Sequence, residues 1–270
     1  MENKNNIPGL FDIANNYFLL FYAVPCYLMY ASLTSIMFLK NTLTFFLPLA
    51  GIVSIVGPLY LINLRSPRTF KDQFALYFPH PQTLILPVII STSAIIPLEA
   101  FSVIFQKNLV NNTDYISFLV TIKSKGLPAY ILIGVHLVAI APLSEELLFR
   151  GYIQRIFQRN MNTAVAVILA GLIFGIAHLN ILIIPSATIM GILFGYLMMR
   201  TDNLIVPTLG HAIFNAFSFT MLTLSTVEEL QSKDVQYPDW RLVVISALVF
   251  LIAIVIFESN HRRKKEGGNA

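Results

Sequence analysis

The chain has 270 residues, 56% of them hydrophobic and only 12% charged, with a mean hydropathy of +0.70. Soluble globular domains carry about 25% charged and about 45–50% apolar residues, so a soluble fold is excluded. The net charge of +4 does not point to nucleic acid, because basic residues on so apolar a chain mark cytoplasmic loops.

The apolar residues come in long blocks, most of which approach or exceed the roughly 18–20 needed for a helix to cross about 30 Å of hydrocarbon. Membrane β-barrels show alternating segments of about 10 residues, and no such alternation is present. The chain reads as all-α, a polytopic helical membrane protein forming a single integral domain over 1–270, with about eight membrane helices. They are expected near 17–38, 43–64, 82–105, 128–149, 163–179, 181–199, 204–224 and 241–257.

The first block is too long for a signal-peptide core and has no convincing cleavage site, so it is read as a retained helix. It holds Cys26, the only cysteine, which excludes a disulfide framework and a cysteine metal site. Glu99 follows Pro97 and Leu98 near the end of the third helix. The fifth and sixth helices are short and nearly contiguous, and are expected to form a tilted hairpin at Asn180. Their Gly171/Gly175 and Gly191/Gly195 pairs read as close-packing positions. The polar stretches 65–81, 106–126 and 226–240 are loop-sized. No internal repeat is found, which weighs against a repeat-built transporter.

Lys/Arg bias sets the orientation. With an even helix count both termini fall on the cytoplasmic side, together with Lys4, Arg65, Arg68, Lys71, Arg150, Arg155, Arg159, Arg200 and the Arg262–Lys265 cluster. That cluster reads as an anionic-lipid contact. The expected location is the plasma membrane.

Ionisable groups in hydrocarbon cost from about 2.5–3.5 kcal/mol to far more, and persist where they are paired or functional. Glu99, His136, Glu145, Glu146, Arg150, His178 and His211 all fall in or at the ends of apolar segments, with Asn215 beside them. Glu145 and Glu146 point about 100° apart on a helix. Glu146 and Arg150 stand at i and i+4 with the acid first, the favourable order for an ion pair. Glu145 lies about 140° from Arg150 and is the freer carboxylate. Pro142 removes a backbone donor just upstream and is placed to bend the helix. His178 closes the Phe174–His178 segment at the end of the fifth helix, and His211 and Asn215 share a face of the seventh. A carboxylate, two imidazoles and a carboxamide can supply a general base, a water-orienting group and oxyanion donors for peptide hydrolysis. There is no HExxH helix, no GxSxG elbow and no Cys-His pair. His136 is nine residues before Glu145, half a turn out of phase on a regular helix, and is left outside the site.

The succession Glu-Glu-xxx-Arg (Glu145, Glu146, Arg150), Phe-xxx-His (Phe174, His178) and His-xxx-Asn (His211, Asn215) resembles the CAAX protease and bacteriocin-processing family. These are glutamate-type intramembrane proteases that include the CAAX prenyl endopeptidases. The resemblance spans roughly 142–219, the implied catalytic core. It implies that Glu145 activates water with help from His178, and that His211 and Asn215 stabilise the oxyanion. Glu146 and Arg150 would support the site as an ion pair. It implies no cofactor, and as partners membrane lipid and a peptide or lipidated protein substrate. That substrate is a prenylated CAAX-type tail, a leader peptide or a sorting tail.

Other readings stand beside this one. Glu145, His178 and His211 could ligate zinc with an open fourth position, although the missing HExxH pair favours a metal-free site. A non-catalytic immunity or scaffold protein, or a proton-coupled transporter, ranks lower. Singly, Glu146–Arg150 reads as an interfacial ion pair and Asn215 as an interhelical hydrogen-bonding group. A straight fifth helix carries His178 away from the cytoplasmic helix ends that hold Glu145 and His211, so that helix must be tilted or its boundaries differ.

Overall fold

The computed structural model describes residues 16–39, 43–64, 66–108, 113–231 and 237–267. All of the apolar blocks are helical, and no strand occurs among the described residues. The helices are α1 (Asn16–Leu39), α2 (Thr44–Asn63), α3 (Phe70–Gln73), α4 (Pro81–Asn108), α5 (Thr113–Lys123) and α6 (Leu127–Asn160). They continue with α7 (Thr163–Ala177), α8 (Ile184–Thr201), α9 (Ile205–Leu224), α10 (Val227–Gln231) and α11 (Trp240–Gly267). The short α3, α5 and α10 lie in the three polar stretches expected as loops. By length and composition, α2, α4, α6, α9 and α11 can cross a membrane, while the stretch Ala23–Phe38 within α1 and the whole of α7 are shorter apolar helices. The chain is thus an all-α integral membrane protein, and the five helices that meet this criterion among the described residues do not confirm the expected count of eight. Lys4 and Arg65, used in the charge count, lie outside those residues.

The main departure from expectation is α6. It does not stop at 149 but runs for 34 residues to Asn160, about 50 Å at 1.5 Å per residue. Arg150, assigned to a cytoplasmic loop by the charge count, therefore sits inside the bundle with no exposed surface. Two five-residue π-turns, His136–Ile140 and Phe149–Ile153, bracket the α-helical segment Ala141–Leu148. Pro142 accounts for the first. The Ala141 N–H reaches back to the His136 carbonyl, but Pro142 has no N–H to continue the wide register. The Leu137 carbonyl is left for a side chain.

α7 and α8 form the expected hairpin at Asn180. The Asn180 side chain accepts from the Leu182 N–H at 3.0 Å, and its carbonyl accepts from Ile183 and Ile184 at 2.9 Å. The glycine pairs let the two backbones touch. A Cβ at Gly171 would fall 2.6 Å from Ile192 Cγ1, and one at Gly175 would fall 2.8 Å from the Ile184 carbonyl oxygen. Because α7 has only 15 residues, it ends about 22 Å from Thr163. Glu145 lies 15 residues back from Asn160 on α6, also about 22 Å. The long α6 and the short α7 thereby bring His178 to the level of Glu145, which removes the mismatch expected for helices of equal span.

Around this centre, Tyr30 of α1, Phe149 and Tyr152 of α6 and Phe174 of α7 form one buried cluster. Ile90 of α4, Phe194 of α8 and Phe214 of α9 form a second. α11 leaves Leu242, Ile245, Leu248 and Ile252 exposed, as suits a helix facing lipid. Its end is tied to α8 by Glu258, which accepts from Tyr196 at 2.5 Å and from Arg200 at 2.7 Å.

Candidate active site

The centre of the bundle is built on Glu146. Its Oε1 accepts from Arg150 Nη1 at 2.7 Å and from His211 Nδ1 at 2.8 Å, with all three side chains almost completely buried. Arg150 Nη2 donates to the Gly191 carbonyl of α8 at 3.0 Å. The guanidinium lies over Phe174, 4.4 Å from its centroid, and 5.7 Å from that of Phe194, so the buried cation has both an anion and π faces. The His211 ring is stacked on Phe194 and edge-on to Phe174. One helical turn along, Gln154 repeats the Arg150 pattern by donating to the Gly195 carbonyl. The expected ion pair is present, and the link from Glu146 to His211 is an addition that spacing along one helix does not reveal.

Since the Glu146 carboxylate takes the Nδ1 proton, Nε2 is the His211 nitrogen left to face Glu145. It stands 3.9 Å from Glu145 Oε2, too long for a direct hydrogen bond. Glu145, 7% exposed, is the freer carboxylate, as helix phase requires. Two tyrosines of α1, Tyr27 and Tyr30, lie beside it. His136, placed outside the site by regular helix phase, belongs to the same group. Its Nε2 is 3.2 Å from the Tyr30 hydroxyl. The π-turn holds an extra residue, so the nine-residue interval no longer puts His136 opposite Glu145. Tyr30 itself carried no signal, since tyrosine in an apolar helix is ordinary.

The other expected members are close by but engaged. His178 Nδ1 is 2.9 Å from the Phe174 carbonyl at the end of α7, which leaves Nε2 without the proton in the neutral ring. Its ring is edge-on to Phe174, 4.9 Å between centroids, and Phe174 separates it from His211. Asn215 Nδ2 donates to the Leu137 carbonyl at 2.8 Å, the acceptor freed by Pro142. This is an interhelical bond from α9 to α6 that uses one of the two amide protons. Glu99 is exposed on α4 and joins none of these contacts. Among the described residues no group of three or more His, Cys, Asp or Glu side chains is placed to hold a metal ion. A depression of about 240 Å³ lined by Arg68, Gln73, Arg155 and Asp202 lies at the end of the bundle, well away from Glu145.

A family model described as type II CAAX prenyl endopeptidase Rce1-like matches residues 127–217, the stretch that holds all three motifs. A protein of Bacillus subtilis (strain 168) described as "Putative membrane peptidase YdiL" is 27% identical over 128 residues, 45% of this chain and 52% of that protein. The chain thus spans about half the length of the curated relative it matches. No solved structure matches. Both matches agree with the family resemblance carried by the motifs.

Proposed function

We propose that this chain, whose residues 127–217 belong to the CAAX protease and bacteriocin-processing family, is a membrane-embedded endopeptidase with Glu145 as general base. The observation that carries the reading is the 3.9 Å between Glu145 Oε2 and His211 Nε2. In that gap a water can contact Glu145, while Nε2 of His211 stands where the carbonyl oxygen that becomes the oxyanion can meet it. Glu145 takes a proton from water as the hydroxide adds to the peptide carbonyl carbon. The carbonyl electron pair moves to oxygen, and that oxyanion is met by donors. His211, protonated on both nitrogens in this role, gives Nδ1–H to Glu146 and Nε2–H to the oxyanion. The free amide proton of Asn215 is a second donor, and His178 assists in orienting water. When the C–N bond breaks, Glu145 returns its proton to the leaving amine.

The substrate class is a peptide segment delivered from the membrane: a prenylated CAAX-type tail, a leader peptide or a sorting tail. The protein works in the plasma membrane with both termini cytoplasmic. It needs no cofactor, and lipid and the lipidated or apolar peptide are its partners. The buried aromatic surroundings of the site support an apolar substrate.

The test is cleavage of a prenylated CAAX-type reporter peptide by purified protein in liposomes, beside Glu145→Ala. Cleavage lost in the variant, with its fold intact and insensitive to chelator and zinc add-back, is the expected result. Cleavage by Glu145→Ala at the wild-type rate would overturn the role of Glu145. Inhibition by chelator with rescue by zinc would replace the water-activating carboxylate with a zinc site. If neither protein cleaves the prenylated reporter, the prenyl substrate is rejected and leader and sorting peptides take its place.

A further inference from the structure

The group best built for a role yet unassigned is the buried pair Tyr30 and His136. Tyr30 is 4% and His136 1% exposed, and their polar atoms are 3.2 Å apart. Tyr30 comes from α1, outside the residues that match the family model. Its position follows from packing. Tyr27 is edge-on to Phe149, 5.4 Å between centroids, and Phe149 shares a helix face with Glu145 four residues before it. Phe38 is edge-on to His136. α1 therefore runs antiparallel to α6 along this face, and Tyr30 lies between the contacts at Phe149 and His136, beside Glu145.

We infer that Tyr30 positions the Glu145 carboxylate by donating a hydrogen bond to it, and that His136 holds the Tyr30 hydroxyl in that direction. The direction of the bonds follows from proton counting. His136 Nδ1 is buried without a partner. A proton on Nδ1 would be a buried donor with no acceptor, and Tyr30 would then spend its only proton on His136. With the proton on Nε2, His136 donates to the Tyr30 oxygen and Tyr30 donates to Glu145, so every N–H and O–H in the row has an acceptor. One side of Glu145 is thereby pinned to α1 while Oε2 stays toward His211. A helix outside the family core thus sets the aim of the group that contacts water.

This role rests on Glu145 being the general base, and its test reads Glu145 directly, without a substrate. Infrared difference spectra of wild type against Glu145→Gln assign the Glu145 carboxyl band in purified protein. In Tyr30→Phe, which removes only the hydroxyl, that band shifts. The kcat falls about tenfold, the loss of one hydrogen bond to a charged group, while KM stays within about twofold because substrate binding is untouched. His136→Gln, which keeps an amide donor, leaves the band near its wild-type frequency, and His136→Leu shifts it as Tyr30→Phe does. Should Tyr30→Phe fail to fold, the two His136 variants decide the matter. A purely structural role would lower the stability of both without separating their spectra.

A folded Tyr30→Phe protein with the wild-type band and kcat would overturn the inference. That failure leaves the protease reading intact if Glu145→Gln is inactive. Conversely, an active Glu145→Gln sinks the protease mechanism whatever the spectra show.

Discussion

Glu146 is sealed from solvent with Arg150 and His211 sharing one of its oxygens, whereas Glu145 keeps an oxygen 3.9 Å from His211 Nε2 without an ion-pair partner of its own on α6. The difference between these neighbours was legible from helix phase alone, because a rotation of about 100° separates them. Which histidine nitrogen faces Glu145 was not legible, because it depends on a bond between α6 and α9. Arg150→Ala leaves Glu146 buried without its cation, and should destabilise the protein by about 3–5 kcal/mol. Arg150→Lys should recover little of this. A lysine cannot hold Glu146 and the Gly191 carbonyl with one planar fork, nor lie flat over Phe174. Denaturant unfolding in detergent micelles measures both, and wild-type stability in Arg150→Ala would refute the assignment of Arg150 as the anchor of the cluster.

At the scale of the element, Pro142 explains more than the bend expected of it. By withholding an N–H within a π-turn it frees the Leu137 carbonyl, and Asn215 fills the vacancy. The reading of Asn215 as an interhelical hydrogen-bonding group thus holds for one of its protons, and its role toward an oxyanion depends on the other. Asn215→Leu should cost about 1–3 kcal/mol, the penalty of an unsatisfied buried acceptor. In a Pro142→Ala background the new N–H can bond within α6, and the same substitution should cost far less. Unfolding free energies for the double-mutant cycle give this coupling, and additive costs would separate Asn215 from the proline. The same π-turn alters the phase of His136 relative to Glu145. A regular 3.6-residue period turns it away from Glu145, and a single inserted residue brings it back.

For the molecule as a whole, depth is set by unequal helix lengths. α6 is long enough to put Glu145 mid-way along it, and α7 is short enough to end at that level. Arg155 of α6 bonds Asp202 beyond α8 at 2.9 Å and the Gln73 carbonyl at 3.0 Å, gathering three segments at the basic end. At the opposite end, Lys123 bonds the Leu222 and Thr223 carbonyls of α9 at 3.0 Å. The orientation proposed from the charge bias puts the Arg155 end on the cytoplasmic side. In a Cys26→Ser background, an impermeant thiol reagent should therefore label Leu224→Cys in intact cells and Asp202→Cys only after permeabilisation. Both positions are well exposed. The reverse pattern would invert the proposed orientation, and labelling of both from one side would contradict the helix directions.

The class of fold was readable because hydrocarbon imposes one-dimensional rules: long apolar blocks, no strand alternation, and ionisable residues only where something justifies their cost. The motif residues and the Glu146–Arg150 pair followed from the same rules, since their spacing lies within single helices. Three features did not: the bond between His211 and Glu146, the continuation of α6 through Arg150, and the contribution of Tyr30 and His136. Each depends on contacts between distant segments or on a proline-driven change of helical register. A fixed periodicity along the chain carries no record of either, so only packing of α1, α6, α7 and α9 against one another brings these groups together.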